Sequence, residues 1–113
     1  MEADQQRERR KERIARNEAL FREVNERVKE VSANPATDRI EFLCECGSAD
    51  CTESISLGHS EYEHLRADPL IFGVRPGHAI PEVEVVVAED ERFHTVRKRP
   101  NEGRIALETD PRA

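Results

Sequence analysis

Apolar positions are sparse in the first third of the chain, and where they occur they recur at helical spacing. From Asp4 to Val31 there is neither Gly nor Pro, and Gln, Arg, Glu, Lys and Ala dominate, residues that favour or tolerate a helix. Ile14, Phe21 and Val28 recur every seven residues, Val24 and Val31 follow the last two by three, and Leu20 widens the stripe. The pattern predicts one helix over 4–31 with an a/d-type seam of about two and a half heptads, in which Asn17 occupies a d position. The first ten residues lack the seam and are expected to fray or extend into solvent. Glu12/Arg16 and Glu23/Arg27 have the favourable i, i+4 orientation on such a helix. The seam needs a cover. It either packs on the rest of the chain or, through Ile14, Phe21, Val24 and Val28, takes a protein partner or a second copy.

Residues 32–39 read as a linker, because Pro35 biases Asn34 away from helical geometry. Beyond it the period shortens to two. Ile40 to Cys44 and Ser54 to Leu57 predict an antiparallel pair of strands. Ser60-Glu61-Tyr62-Glu63 has the form of a capping box and predicts a short helix from Glu61 to about Ala67. Leu70 to Arg75 is a third strand, closed by the turn signal Pro76-Gly77. Glu82 to Val87 and Arg92 to Lys98 are a fourth and a fifth, paired across Glu89-Asp90-Glu91. A helical turn is possible at Ile105 to Glu108, and the end is otherwise expected to be mobile. The implied architecture is α+β: a long N-terminal helix (1–31) and linker (32–39), a small antiparallel body with a short helix (40–98), and a tail (99–113).

Composition makes that body hard to stabilise unaided. Apolar residues are 36%, aromatics 4% and charged residues 37%, a thin core of the kind that usually needs a metal, disulfides or a partner. The start of the chain has no apolar run resembling a secretory signal, and no run approaches the ~20 residues needed to span a bilayer. A cytoplasmic protein without a membrane partner is expected. Residues 1–31 carry nine Lys/Arg against eight Asp/Glu, whereas 32–113 carry nine against sixteen. An acidic body is a poor match to nucleic acid, whose phosphates reward clustered cations. The basic run from Arg7 to Arg16 is most simply a solvated helix face.

All three cysteines lie in Phe42-Leu43-Cys44-Glu45-Cys46-Gly47-Ser48-Ala49-Asp50-Cys51. In a strand, positions i and i+2 share a face, so Cys44 and Cys46 reach one point, and Gly47 and Asp50 suit a reversal that returns Cys51 to it. Three soft ligands at a hairpin tip describe most of a tetrahedral zinc site, and in a reducing compartment clustered thiols favour metal or redox chemistry over disulfides. For the fourth ligand, His59 lies up to roughly 26 Å down the hairpin at strand rise. His64 reads as a helix-surface residue and His94 as a strand residue. His78 follows Pro76-Gly77 in a loop that can reach the knuckle, provided strand 70–75 runs antiparallel to strand 53–57. Asp50 or Glu45 could serve instead through oxygen. A metal-free cluster of thiols and an iron–sulfur site are further readings.

Arg16 to Arg27, Phe42-Leu43-Cys44-Glu45-Cys46-Gly47 with Asp50-Cys51, Glu61-Tyr62-Glu63 with Arg66-Ala67-Asp68-Pro69, and Pro76-Gly77-His78 with Pro81-Glu82-Val83-Glu84 together resemble a family of small, uncharacterised bacterial proteins. The resemblance spans about three quarters of the chain and includes both the cysteine cluster and the Pro-Gly-His, which favours His78 over His59. The last strand, Phe93 to Lys98, departs from the more aromatic, valine-rich form of that family. The family carries no assigned activity.

No catalytic constellation stands out. There is no phosphate-cradling Gly-rich loop and no H-E-x-x-H, and Ser60 beside His59 is better placed to cap a helix than to act as a nucleophile. Three sulfurs and one nitrogen leave a zinc ion no open position. The sequence therefore predicts a non-enzymatic module built on structural zinc through Cys44, Cys46, Cys51 and His78, serving protein interaction or regulation. The alternative is a thiol-based or metal-responsive switch that releases zinc on oxidation.

Overall fold

Two antiparallel sheets and three helices make up the α+β fold of the computed structural model, which describes residues 2–32 and 39–113. In chain order these are α1 (Glu2–Val31), β1 (Ile40–Leu43), β2 (Ser54–Leu57), α2 (His59–Arg66), β3 (Ile71–Val74), β4 (Glu84–Glu89), β5 (His94–Lys98) and α3 (Arg104–Glu108). The first sheet is the hairpin β1-β2 and the second has the order β3-β5-β4. Most of the expected linker falls outside the described residues.

The core lies between the sheets and α2. Phe42, Ile55 and Leu57 of the hairpin, Tyr62 and Leu65 of α2, and Phe72, Val74 and Val96 of the second sheet form one buried cluster, joined by Cys44, Cys46 and Ala106. Phe42 and Tyr62 stack with ring centroids 4.3 Å apart. The helix α2 starts earlier than the Ser60 signal implies. Its N-cap is Gly58, whose amide donates to the Glu61 carboxylate at 2.8 Å, and Ser60 is an exposed residue of the first turn. Glu61 is needed here for a second reason, since it also takes both guanidinium nitrogens of Arg92 at 3.0 and 2.6 Å. That tertiary demand sets the register of the cap.

The third strand, expected to run antiparallel to the second so that its far end reaches the cysteines, is not paired with it. β3 pairs with β5, and at its other side the Glu45 amide donates to the Gly73 carbonyl at 2.8 Å. β3 thus meets the chain just beyond β1, at the cysteines, instead of β2. β4 pairs with β5 around a bulge between Val86 and Ala88.

The buried face of α1 also differs from the expected seam. Ile14 and Ala15 are enclosed, but the next enclosed residues are Glu18, Arg22 and Asn25. Leu20 is 57% exposed and Val31 81% exposed, with Val24 outward as well, while Phe21 and Val28 are half-buried. Arg22 explains the preference for a polar stripe. Its guanidinium donates to the carbonyls of Pro69 and Ala106, both at 2.8 Å, and to Thr109 Oγ1 at 3.1 Å. It also lies 4.9 Å from the Phe72 ring centroid, a cation–π distance. Glu18 Oε1 accepts from buried Lys98 at 2.6 Å, and Lys98 is 4.0 Å from Glu84. Burial pushes the Glu18 carboxyl well above its ordinary range, the neighbouring Glu84 pushes it further, and Lys98 only partly offsets them.

The last residues, expected as a mobile tail, are packed instead. Ile105 and Ala106 are buried, Lys11 of α1 donates to Glu102 at 3.0 Å, and Arg112 bridges Glu26 of α1 and Glu63 of α2 with four hydrogen bonds of 2.6–3.0 Å. The composition of 99–113 gave no warning, because its anchors are single residues whose partners lie far away in sequence.

Candidate metal centre

Cys44, Cys46, Cys51 and His78 meet at the loop end of the β1-β2 hairpin. The Cys44 amide donates to the Glu53 carbonyl at 3.0 Å, which continues the ladder past β1 and keeps the extended alternation through Cys46. Ser48 to Cys51 form a turn closed by the Cys51 amide on the Ser48 carbonyl at 3.2 Å, so the third sulfur comes back over the first two. His78 arrives from β3. Its amide donates to the Arg75 carbonyl at 2.9 Å, with Pro76 and Gly77 at the middle of the turn and Gly77 at φ 86°. That left-handed position is where such a Pro-Gly turn requires glycine. Because β3 runs beside Cys44 and Glu45, the turn at its end delivers the imidazole to the sulfurs.

One ligand atom from each of these four residues lies within 4.8 Å of the others, so the group could hold a metal ion. His78 Nδ1 is 3.5 Å from Cys44 Sγ and 3.6 Å from Cys51 Sγ, and the Arg75 amide donates to Cys44 Sγ at 3.2 Å. Cys44 and Cys46 are buried and Cys51 is partly exposed, and all three are free thiols. The neighbouring Cys44 thiol holds the Cys46 thiol down to about 5, helped by the Ser48 amide and His78 and opposed by burial, while Cys46 and burial push Cys44 upward. Burial raises Cys51 as well.

Glu45, between the two inner cysteines, points the other way and does not reach the cluster. Its carboxylate accepts from Arg66 at 2.7 and 2.6 Å, from Asn25 at 2.8 Å and from the Gly73 amide at 3.0 Å. Its oxygens are thus committed to the core, and it is no substitute for His78. Asp50 is exposed in the turn and outside the cluster. His59 opens α2, where its Nδ1 is buried without a hydrogen-bond partner. His64 is exposed on α2, and His94 pairs with Val74 and Glu89 in the second sheet. Strand alternation turns Glu45 to the face opposite Cys44 and Cys46, which is a sequence signal against its serving as a ligand; that this face is core, where a charge needs a partner, is shown by its burial.

No family model matches the chain, and neither the curated proteins nor the solved structures contain a significant match. The resemblance noted above therefore rests on its motifs alone. No described helix is long and apolar enough to cross a membrane.

Proposed function

We propose that this chain is a small structural-zinc protein that serves as a protein-interaction module. The observation that carries the reading is the sulfur–nitrogen spacing of 3.5 and 3.6 Å. A tetrahedron with Zn–S of about 2.3 Å and Zn–N of about 2.0–2.1 Å has an S···N edge of about 3.6 Å. Three thiolates and one imidazole suit zinc by softness as well as by geometry. Such a set leaves no open position for a substrate or water, which supports a structural role over a catalytic one. The Arg75 amide on Cys44 Sγ would disperse thiolate charge, as outer-shell donors do around metal ligands.

The interaction half of the reading draws on α1. Leu20, Val24 and Val31 form its outward apolar residues, and they, with the half-exposed Phe21, are the part of the expected seam left for a protein partner. Ile14 is buried and Val28 packs against the core. Elemental analysis of protein purified without chelator tests the metal. One zinc per chain is expected. A folded, metal-free protein with three titratable thiols would sink the proposal.

A further inference from the structure

The contacts of α1 with the hairpin are concentrated on the chain that carries the cysteines. Asn17 donates to the Gly47 carbonyl at 2.9 Å. Asn25 donates to the Leu43 carbonyl at 3.0 Å, accepts from the Leu43 amide at 2.8 Å and donates to Glu45 at 2.8 Å. These two side chains lie eight residues apart on α1 and bracket the segment Leu43 to Gly47, within which Cys44 and Cys46 hold the metal in the reading above. Three residues before Asn17, Ile14 covers Gly47 so closely that a Cβ there would run into the Ile14 side chain. The helix therefore reads the backbone position of both ends of the C-x-C.

From this arrangement we infer that metal binding and the docking of α1 are one coupled equilibrium, which makes α1 a metal-dependent arm. The inference rests on the Cys3His reading. A bound ion fixes Cys44 and Cys46 to Cys51 and His78, and so fixes the carbonyls and amide that Asn17 and Asn25 bond. Without that cross-link the Leu43 end keeps its pairing with β2 and Glu45 its bond to Gly73, but the Cys46–Gly47 end loses the anchor that sets its spacing to Asn17. The interface is also suited to opening. Its enclosed residues on α1 are Ile14, Ala15, Glu18, Arg22 and Asn25, and water can solvate the last three, so the apolar surface that release exposes on α1 is mainly that of Ile14, Ala15 and the half-buried Phe21 and Val28. An apolar seam would resist release or aggregate once released. Coupling is reciprocal: whatever factor the metal adds to docking, docking adds to metal affinity.

That reciprocity supplies the test. Full-length wild type, Asn17→Ala, Asn25→Leu and the control Arg97→Ala are loaded with Zn2+ and titrated with a competing chromophoric chelator, with circular dichroism recorded alongside. Among the described residues Arg97 bonds the exposed Asp68 and no side chain of α1. The dissociation constant should rise about tenfold in Asn17→Ala and in Asn25→Leu, within the usual range of coupling factors, and stay within twofold in Arg97→Ala. Asn17 is half-exposed, so its variant keeps the test open if Asn25→Leu does not fold. An unchanged constant in Asn17→Ala overturns the coupling while leaving the zinc reading intact. An equal rise in Arg97→Ala also overturns it, because the effect would then be general destabilisation. A wild type that binds no zinc overturns the metal reading itself.

Discussion

Glu45 and Arg66 form a wholly buried ion pair with two hydrogen bonds, 2.7 and 2.6 Å long, directly behind the cysteine pair. Arg66 also lies 5.2 Å from the Tyr62 ring centroid and 6.0 Å from that of Phe72. Breaking such a pair from one side leaves an uncompensated buried charge, which costs about 3–5 kcal/mol. Arg66→Met is therefore expected to lose about that much in urea denaturation of the metal-loaded protein. The double variant Glu45→Gln/Arg66→Met should lose clearly less than the sum of the two single changes, since neither charge is then left alone. Additive losses would show that the pair does not act as a unit.

The metal ligands are expected to differ sharply from the other histidines. Structural zinc contributes on the order of 10 kcal/mol to the folding of small metal domains, comparable to the whole stability of a typical domain. Cys46→Ser should abolish zinc binding and collapse the amide dispersion of residues 40–98 in a nitrogen-edited spectrum. His78→Ala should lower zinc content, whereas His59→Ala should keep it at the wild-type value. Full zinc retention in Cys46→Ser would contradict the assignment.

Glu18 gives the protein a pH dependence of definite sign. Its pKa in the folded protein is shifted upward, chiefly by burial and then by Glu84, with Lys98 opposing. The native state thus holds a proton that the unfolded chain gives up at its ordinary carboxyl value of about 4.3. Stability falls as pH rises from that value through the folded one. Glu18→Gln keeps an acceptor for Lys98 and removes the titration. Its stability should change less between pH 5 and pH 8 than that of the wild type, and it should be the more stable of the two at pH 8. Thermal denaturation across that range measures both.

On α1, burial and not heptad position should decide the cost of truncation. Ile14 is 5% exposed and sits on Gly47, so Ile14→Ala should cost about 2–5 kcal/mol, as for other buried aliphatics. Leu20→Ala should stay within about 0.5 kcal/mol, as expected of surface changes. Equal losses from the two in urea denaturation would mean that the outer stripe is covered in solution by a partner or a second copy, and sedimentation would then distinguish the two.

Local signals were sufficient for most elements of this protein. The helical composition of α1, the period-two runs of β1, β2 and β5, and the Pro-Gly turn before His78 each act over a few residues, and the structure places elements there. The C-x-C spacing likewise makes a shared face from alternation alone. Tertiary structure decided which face of α1 is buried, because a stripe of Glu18, Arg22 and Asn25 reads as solvated until its partners at Lys98, Pro69, Ala106, Leu43 and Glu45 are known. It decided that β3 lies beside the cysteines and not beside β2, which is what brings His78 to them. It also packed the C-terminal residues through Arg112 and Ile105. The physical reason is common to all three. Hydrophobic period and turn chemistry are written in neighbouring residues, whereas a buried polar contact depends on the meeting of two groups far apart in the chain.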